Sequence, residues 1–150
     1  MYSTEEFDKA KTKVLKYIMY KKRTEQEVKQ KFMPTIEENL LEDVIAYLKE
    51  AGYINDFNYI DRAVREMINL KTLCKKEIQF KLAAKGIKRD LIEDYMEHHQ
   101  EELEEYECQN AKKIVVKKNT SMEPYEIKNY LMKKGYREDA IREAMEEINE

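Results

Sequence analysis

Apolar positions recur along this chain at helical spacing. Phe7, Ala10, Val14 and Ile18 mark one face of a first helix. Leu41, Val44, Ile45 and Leu48 repeat the pattern, as do Ile60, Ala63, Val64, Met67 and Ile68, and finally Ile141, Ala144, Met145 and Ile148. Each stripe is narrow, so each helix needs neighbours on one side only. Start signals precede the stripes. Ser3-x-x-Glu6, Thr24-x-x-Glu27 and Thr35-x-x-Glu38 match the capping box, in which hydroxyl and carboxylate satisfy orphan amides reciprocally. Asn55 or Asp56 is placed to cap the helix carrying Ile60, and Pro124 suits a first helical turn. Gly52, Gly86 and Gly135 each follow such a segment and read as left-handed stops.

A repeat underlies this punctuation. Residues 77–96 and 126–145 align without gaps at an offset of 49, with 8 identities in 20 positions: Glu77/Glu126, Ile78/Ile127, Leu82/Leu131, Lys85/Lys134, Gly86/Gly135, Asp90/Asp139, Ile92/Ile141 and Met96/Met145. A fainter copy lies 50 residues earlier, as Glu27, Val28, Lys31 and Phe32 against Glu77, Ile78, Lys81 and Leu82. In that copy Met33-Pro34 replaces the glycine stop. The expected fold is all-α, an elongated, curved tandem array of three three-helix, helix-turn-helix-like repeats. The expected spans are 5–54, 55–100 and 101–149. Units under 50 residues are marginal alone, and stacking lets them share buried surface.

Composition narrows the class further. Three Gly and two Pro in 150 residues leave no supply for β-hairpins or phosphate-cradling loops. The N-terminus, Met-Tyr-Ser-Thr-Glu-Glu, lacks a signal-peptide pattern, and no stretch nears the ~20 apolar residues of a membrane span. A soluble cytoplasmic protein without membrane contact is the expectation. Charged residues are 39% of the chain and the net charge is -3. Lys and Arg number ten against ten acids in 1–54, nine against eight in 55–100, and nine against thirteen in 101–150. Strong sequence-independent DNA binding usually shows a basic excess, which is missing here. The Glu101–Glu105 acidic run fits the start of a helix, where carboxylates are favoured electrostatically.

Catalysis finds little support, and no enzyme, cofactor or metal site is expected. The only histidines, His98 and His99, are adjacent and point about 100° apart on a helix, so they cannot grip one metal as an i, i+4 pair would. The two cysteines, Cys74 and Cys108, have no CxxC spacing. Cys108 continues an apolar stripe with Ala111 and Val115 and is expected to be buried; Cys74 precedes a helix and is expected to be partly exposed. Most of the eight Met and eleven Tyr are expected in or near the core.

Four stretches together resemble one known family, RecX, the regulators of the RecA recombinase. Arg23-Thr24-Glu25-Gln26-Glu27-Val28-Lys29-Gln30-Lys31-Phe32 resembles the family's Arg, Ser/Thr-x-x-Glu-Leu, basic, Lys-Leu pattern. Gly52-Tyr53-Ile54-Asn55-Asp56, following Val44-Ile45 and Leu48 and leading to Tyr59-Ile60, is similar to its Gly-Tyr-Leu-Asp-Asp run. Ile78, Leu82 and Lys85-Gly86-Ile87 match a second-repeat signature, and Lys134-Gly135-Tyr136 a third. Asn55, Tyr59-Ile60 and Cys74 depart from the family's usual Asp, Phe-Ala/Val and Gly. The order and spacing cover about residues 10–148.

The resemblance implies a non-enzymatic array of three helical repeats that lies in the groove of the RecA–DNA filament. It implies inhibition of RecA's ATPase, strand-exchange and co-protease activities, and so a role in DNA repair, homologous recombination and the SOS response. A monomer making at most weak contact with single- or double-stranded DNA is the accompanying expectation. Basic positions in or beside the matching motifs are the expected partner contacts: Arg23, Lys29, Lys31, Arg62, Arg65, Lys75, Lys76, Lys85 and Lys88. Two other readings remain open, a helix-turn-helix nucleic-acid binder and a generic helical adaptor. Against the first, the helices after Gly86 and Gly135 begin Lys88-Arg89-Asp90 and Arg137-Glu138-Asp139, with acids where base-reading side chains would stand.

Overall fold

A computed structural model describes residues 1–70 and 73–148. Within them the chain forms helices α1 (Thr4–Tyr20), α2 (Glu25–Phe32), α3 (Glu38–Glu50), α4 (Asp56–Leu70), α5 (Lys75–Ala84), α6 (Arg89–His98), α7 (Gln100–Lys118), α8 (Pro124–Lys134) and α9 (Glu138–Met145), ending in a 3-10 turn at Glu146–Ile148. The described residues include no strand. The all-α expectation holds.

Local signals set most boundaries. Ser3 and Thr24 each accept from the amide three residues on, and Glu6 and Glu27 return the bond, as the capping box requires. Asn55 caps α4 through a bond from the Asn58 amide at 3.0 Å, and Pro124 opens α8. The third expected box fails. Glu37 caps α3 by accepting from the Asn39 and Leu40 amides, while the Thr35 hydroxyl turns back to the Phe32 carbonyl. The Pro34 turn carries the chain two residues beyond the expected start, and a carboxylate reaches two orphan amides where one hydroxyl would reach one.

Buried side chains gather in three clusters. Val14, Val28, Val44 and Leu48 centre the first, drawn from α1–α3. Ile60, Val64, Ile78, Leu82 and Ile92 centre the second, from α4–α6. Ala111, Val115, Ile127, Leu131, Ala140 and Ile141 centre the third, from α7–α9. Two residues cross over: Leu103 of α7 joins the second cluster, and Cys74, just before α5, joins the third. The chain exposes 10332 Å², about a quarter more than the roughly 8,100 Å² of a compact monomer of its mass. Three small cores side by side leave more surface than one large core.

The clusters meet through a joint that occurs twice. In the first, the Thr24 hydroxyl donates to the Lys85 carbonyl at 2.8 Å, and the Glu25 amide donates to Asp56 at 3.0 Å. In the second, the Cys74 thiol donates to the Lys134 carbonyl at 3.3 Å, and the Lys75 amide donates to Glu107 at 2.7 Å. Each time the accepting carbonyl stands just before a left-handed glycine, Gly86 at φ 83° or Gly135 at φ 102°. A Cβ on Gly86 would sit 2.4 Å from the Gln26 side chain, and one on Gly135 would sit 3.0 Å from Lys76. The glycines are therefore needed both for the turn and for the close approach. The corresponding place at the start of α8 has neither donor, because Glu123 carries a carboxylate and Pro124 has no N–H.

Candidate functional site

The second joint is held by a polar face of α7. Glu107 is fully buried and accepts from the Lys75 amide, from the Arg137 amide at 3.3 Å and from Arg137 Nε at 2.8 Å. Three donors on one buried carboxylate satisfy its charge. Beside it, the Tyr106 hydroxyl accepts from the Leu73 amide, and Asn110 donates to the Leu73 carbonyl. The first joint is more open. Glu25 pairs with Lys49 at 2.8 Å and Lys29 at 3.0 Å. Burial alone would raise its carboxyl, but the two ammoniums together outweigh it and hold it below the usual range. Asp56, more deeply set, is pushed above its ordinary value, chiefly by burial.

The cysteines exchange their expected places. Cys74 is fully buried at the joint, and Cys108 is only half-buried. Cys74 occupies the cap position that Thr24 fills 50 residues earlier, and a cap beneath a docked neighbour is inside. Burial pushes its thiol up to about 11. Both histidines use Nδ1 on a backbone carbonyl, His98 on Asp94 at 2.7 Å and His99 on Tyr95 at 3.0 Å. No group of three His, Cys, Asp or Glu side chains among the described residues has metal-holding geometry, and no helix there is long and apolar enough to cross a membrane.

The nine expected contact residues fall into distinct settings. Lys29 is tied to Glu25, and Arg65 donates to Asp61 at 3.2 Å and lies 3.9 Å from Glu102. Lys75 is largely covered, 3.5 Å from Glu104. Arg23 stacks its guanidinium 4.3 Å from the Tyr17 ring centroid, and its Nε is buried without a hydrogen-bond partner. Lys31 is exposed near the same ring. Arg62 is exposed and only 3.9 Å from Glu66. Lys76, Lys85 and Lys88 are exposed and make no ion pair among the described residues.

The structure brings some of these together and separates others. Arg23 and Arg62 share a small polar pocket of about 170 Å³ with Lys22, Asn55, Asn58 and Tyr59. Lys76 and Lys85 share a groove of about 640 Å³ that also holds Phe80 and Lys81. Lys88 lines a third depression with Lys49 and Phe57. Sequence reasoning missed Phe80 and Lys81. Phe80 keeps 75% of its surface exposed, and several of the Met and Tyr also lie open where most were expected in or near the core: Met19, Met33, Met132, Tyr20 and Tyr125. The signal for Phe80 was its position, since Ile78 and Leu82 face the core and the residue between and opposite them cannot.

Fold and surface together define an all-helical protein with three packed cores and exposed basic and aromatic side chains on its outer faces. No model of a known protein family matches the chain. Individual relatives do. It is 30% identical to the regulatory protein RecX of Clostridioides difficile, over 96% of this chain and 70% of that one. It is 32% identical to the regulatory protein RecX of Staphylococcus carnosus over 90% of its length, and spans about half of that relative (52%). The crystal structure of RecX from Lactobacillus salivarius matches 98% of this chain and 99% of its own, with a TM-score of 0.83 and 26% identity. A second RecX crystal structure, 23% identical, shares the fold with a TM-score of 0.80. The chain belongs to the RecX family of regulatory proteins.

Proposed function

We propose that this chain is a non-enzymatic regulator of RecA, binding in the groove of the RecA–DNA filament and inhibiting ATP hydrolysis, strand exchange and co-protease activity. The observation that carries this reading is its likeness to RecX proteins along nearly the whole chain, in sequence and in fold. In this reading the three helix triplets are repeats 5–54, 55–100 and 101–149, and the chain acts as a monomeric rigid body in the cytoplasm. Several weak contacts on one rigid body gain from effective concentration, so a long, mixed-charge face suits a partner that is itself periodic. The exposed basic residues that are free or loosely held, Lys31, Arg62, Lys76, Lys85 and Lys88, are the best placed of the nine for contact. Lys29, Arg65 and Lys75 serve internal ion pairs first.

The test is RecA ATP hydrolysis on single-stranded DNA with this protein titrated well below one per RecA subunit. Inhibition at such ratios is expected. Unchanged hydrolysis, with folded protein and the cognate RecA, overturns the reading. A salt titration of DNA affinity separates the nucleic-acid alternative, because phosphate-driven binding falls steeply with salt.

A further inference from the structure

The groove beside α5 is the place where the surface is least reconciled with water. Phe80 stands 75% exposed on its wall, with Met67 and Ala84 adding apolar surface. Around it are Lys76, Lys81 and Lys85, none of which makes an ion pair among the described residues. The fourth lysine, Lys134, is engaged, 3.8 Å from Glu77 and over the Tyr130 ring. An exposed aromatic ringed by unneutralised ammoniums is a poor surface alone, and a good one for a ligand that brings both apolar area and negative charge.

We infer that this groove docks an acidic polypeptide segment that seats one apolar side chain against Phe80 and Met67 and sets its flanking carboxylates on Lys76, Lys81 and Lys85. Two features favour polypeptide over nucleic acid. The lining offers no Arg, Asn or Gln to read a base edge, and among the described residues Phe80 is its one aromatic, where a single-strand platform stacks successive bases on several. The net charge of -3 gives no long-range pull on a polyanion as dense as DNA. An acidic segment with one apolar anchor needs only a local match. The position is also structurally secured: the Lys85 carbonyl and the Lys76 stem both take part in the joints, so the groove floor is fixed before a ligand arrives. The inference deepens the RecA reading and rests on it in one respect, that the segment belongs to RecA.

The experiment uses the full chain with p-benzoylphenylalanine at position 80, irradiated on RecA filaments assembled on single-stranded DNA. Co-sedimentation of the unmodified chain with filaments is scored separately and decides the RecA reading. The expected crosslink is to an acidic RecA segment. A crosslink to DNA, to a segment without acids, or none from a co-sedimenting chain, overturns the inference. Without RecA, the groove is titrated with a fluorescein-labelled peptide of leucine flanked by aspartates and glutamates. Phe80→Ala is expected to weaken binding about tenfold, the range of one buried aromatic contact. Lys81→Glu with Lys85→Glu is expected to weaken it as strongly and to remove its strengthening at low salt. All three side chains are exposed, so unchanged circular dichroism is expected. Variants that bind peptide and filament like the parent overturn the assignment.

Discussion

Thr24 and Lys85 are joined by a hydrogen bond of 2.8 Å across 61 positions of sequence, from a buried hydroxyl to the last carbonyl before a glycine turn. The hydroxyl simultaneously accepts from the Glu27 amide at 3.1 Å. One side chain thus caps α2 and docks α5. Loss of the cap and of a buried bond should each cost about 1 kcal/mol, with the orphaned carbonyl adding to the total. Thr24→Val, which keeps the volume, is expected to lower stability by about 2–3 kcal/mol in urea titrations. Thr24→Ser should recover most of that. A Thr24→Val protein as stable as the parent would remove the hydroxyl from the joint.

The glycines offer a paired comparison. Gly52 and Gly86 have nearly the same φ, 85° and 83°, but a Cβ at Gly52 meets nothing within 4 Å and one at Gly86 meets Gln26 at 2.4 Å. Gly52→Ala should cost only the left-handed penalty of about 1–2 kcal/mol. Gly86→Ala should cost clearly more, and the excess should shrink in a Gln26→Gly background. Equal losses at the two glycines, measured by urea midpoint, would mean the joint is looser than the structure has it.

Glu107 carries the second joint. Glu107→Ala leaves the Lys75 amide, the Arg137 amide and Arg137 Nε without their acceptor, while Arg137 keeps Glu104 at 3.8 Å, so the cost is that of orphaned buried donors, about 2–3 kcal/mol. Glu107→Gln keeps an acceptor for one of them and should cost less. The order Ala worse than Gln is the outcome to check in chemical denaturation.

Helix identity was legible because the stripes are long and the stops are glycines, and Pro124 and Ser3 lie where local chemistry alone decides. The joints were legible only in outline. Thr24-x-x-Glu27 and Cys74-x-x-Glu77 stand 50 residues apart, and Lys85-Gly86 and Lys134-Gly135 stand 49 apart, so both halves of each joint sit in the repeat. Their pairing is long-range, and no local pattern states it. The same blindness inverted the cysteines: a cap position looks like surface until a distant part of the chain covers it. Glu107 resembles every other glutamate of α7 in sequence, and only the turn docking above it makes it a buried acceptor. The basic residues could be enumerated, but which are consumed by Glu25, Asp61 or Glu104 depends on side-chain reach across helices.

The thiols give a final test through both reactivity and pH. Cys74 is fully buried and its thiol is raised to about 11, first by burial and further by Glu77 and Glu107. Cys108 is half-buried, and burial and Glu143 raise it as well, so neither is a ready thiolate. With iodoacetamide at pH 7.5, Cys108 is expected to react slowly in the native protein and Cys74 only on unfolding, read by mass spectrometry of the peptides. The folded thiol of Cys74 is raised above the ordinary value of 9.0. The unfolded chain therefore loses its proton first on raising the pH. The stabilisation is fully present below about pH 9 and is lost as pH climbs through about 11, on the order of 2 kcal/mol in all. Tyrosines titrate in the same window, so the measurement is the difference between the parent and Cys74→Ser, whose hydroxyl keeps a donor and does not ionise. The parent should lose stability faster than Cys74→Ser between pH 9 and 11. Parallel curves would place the thiol in contact with water and out of the joint.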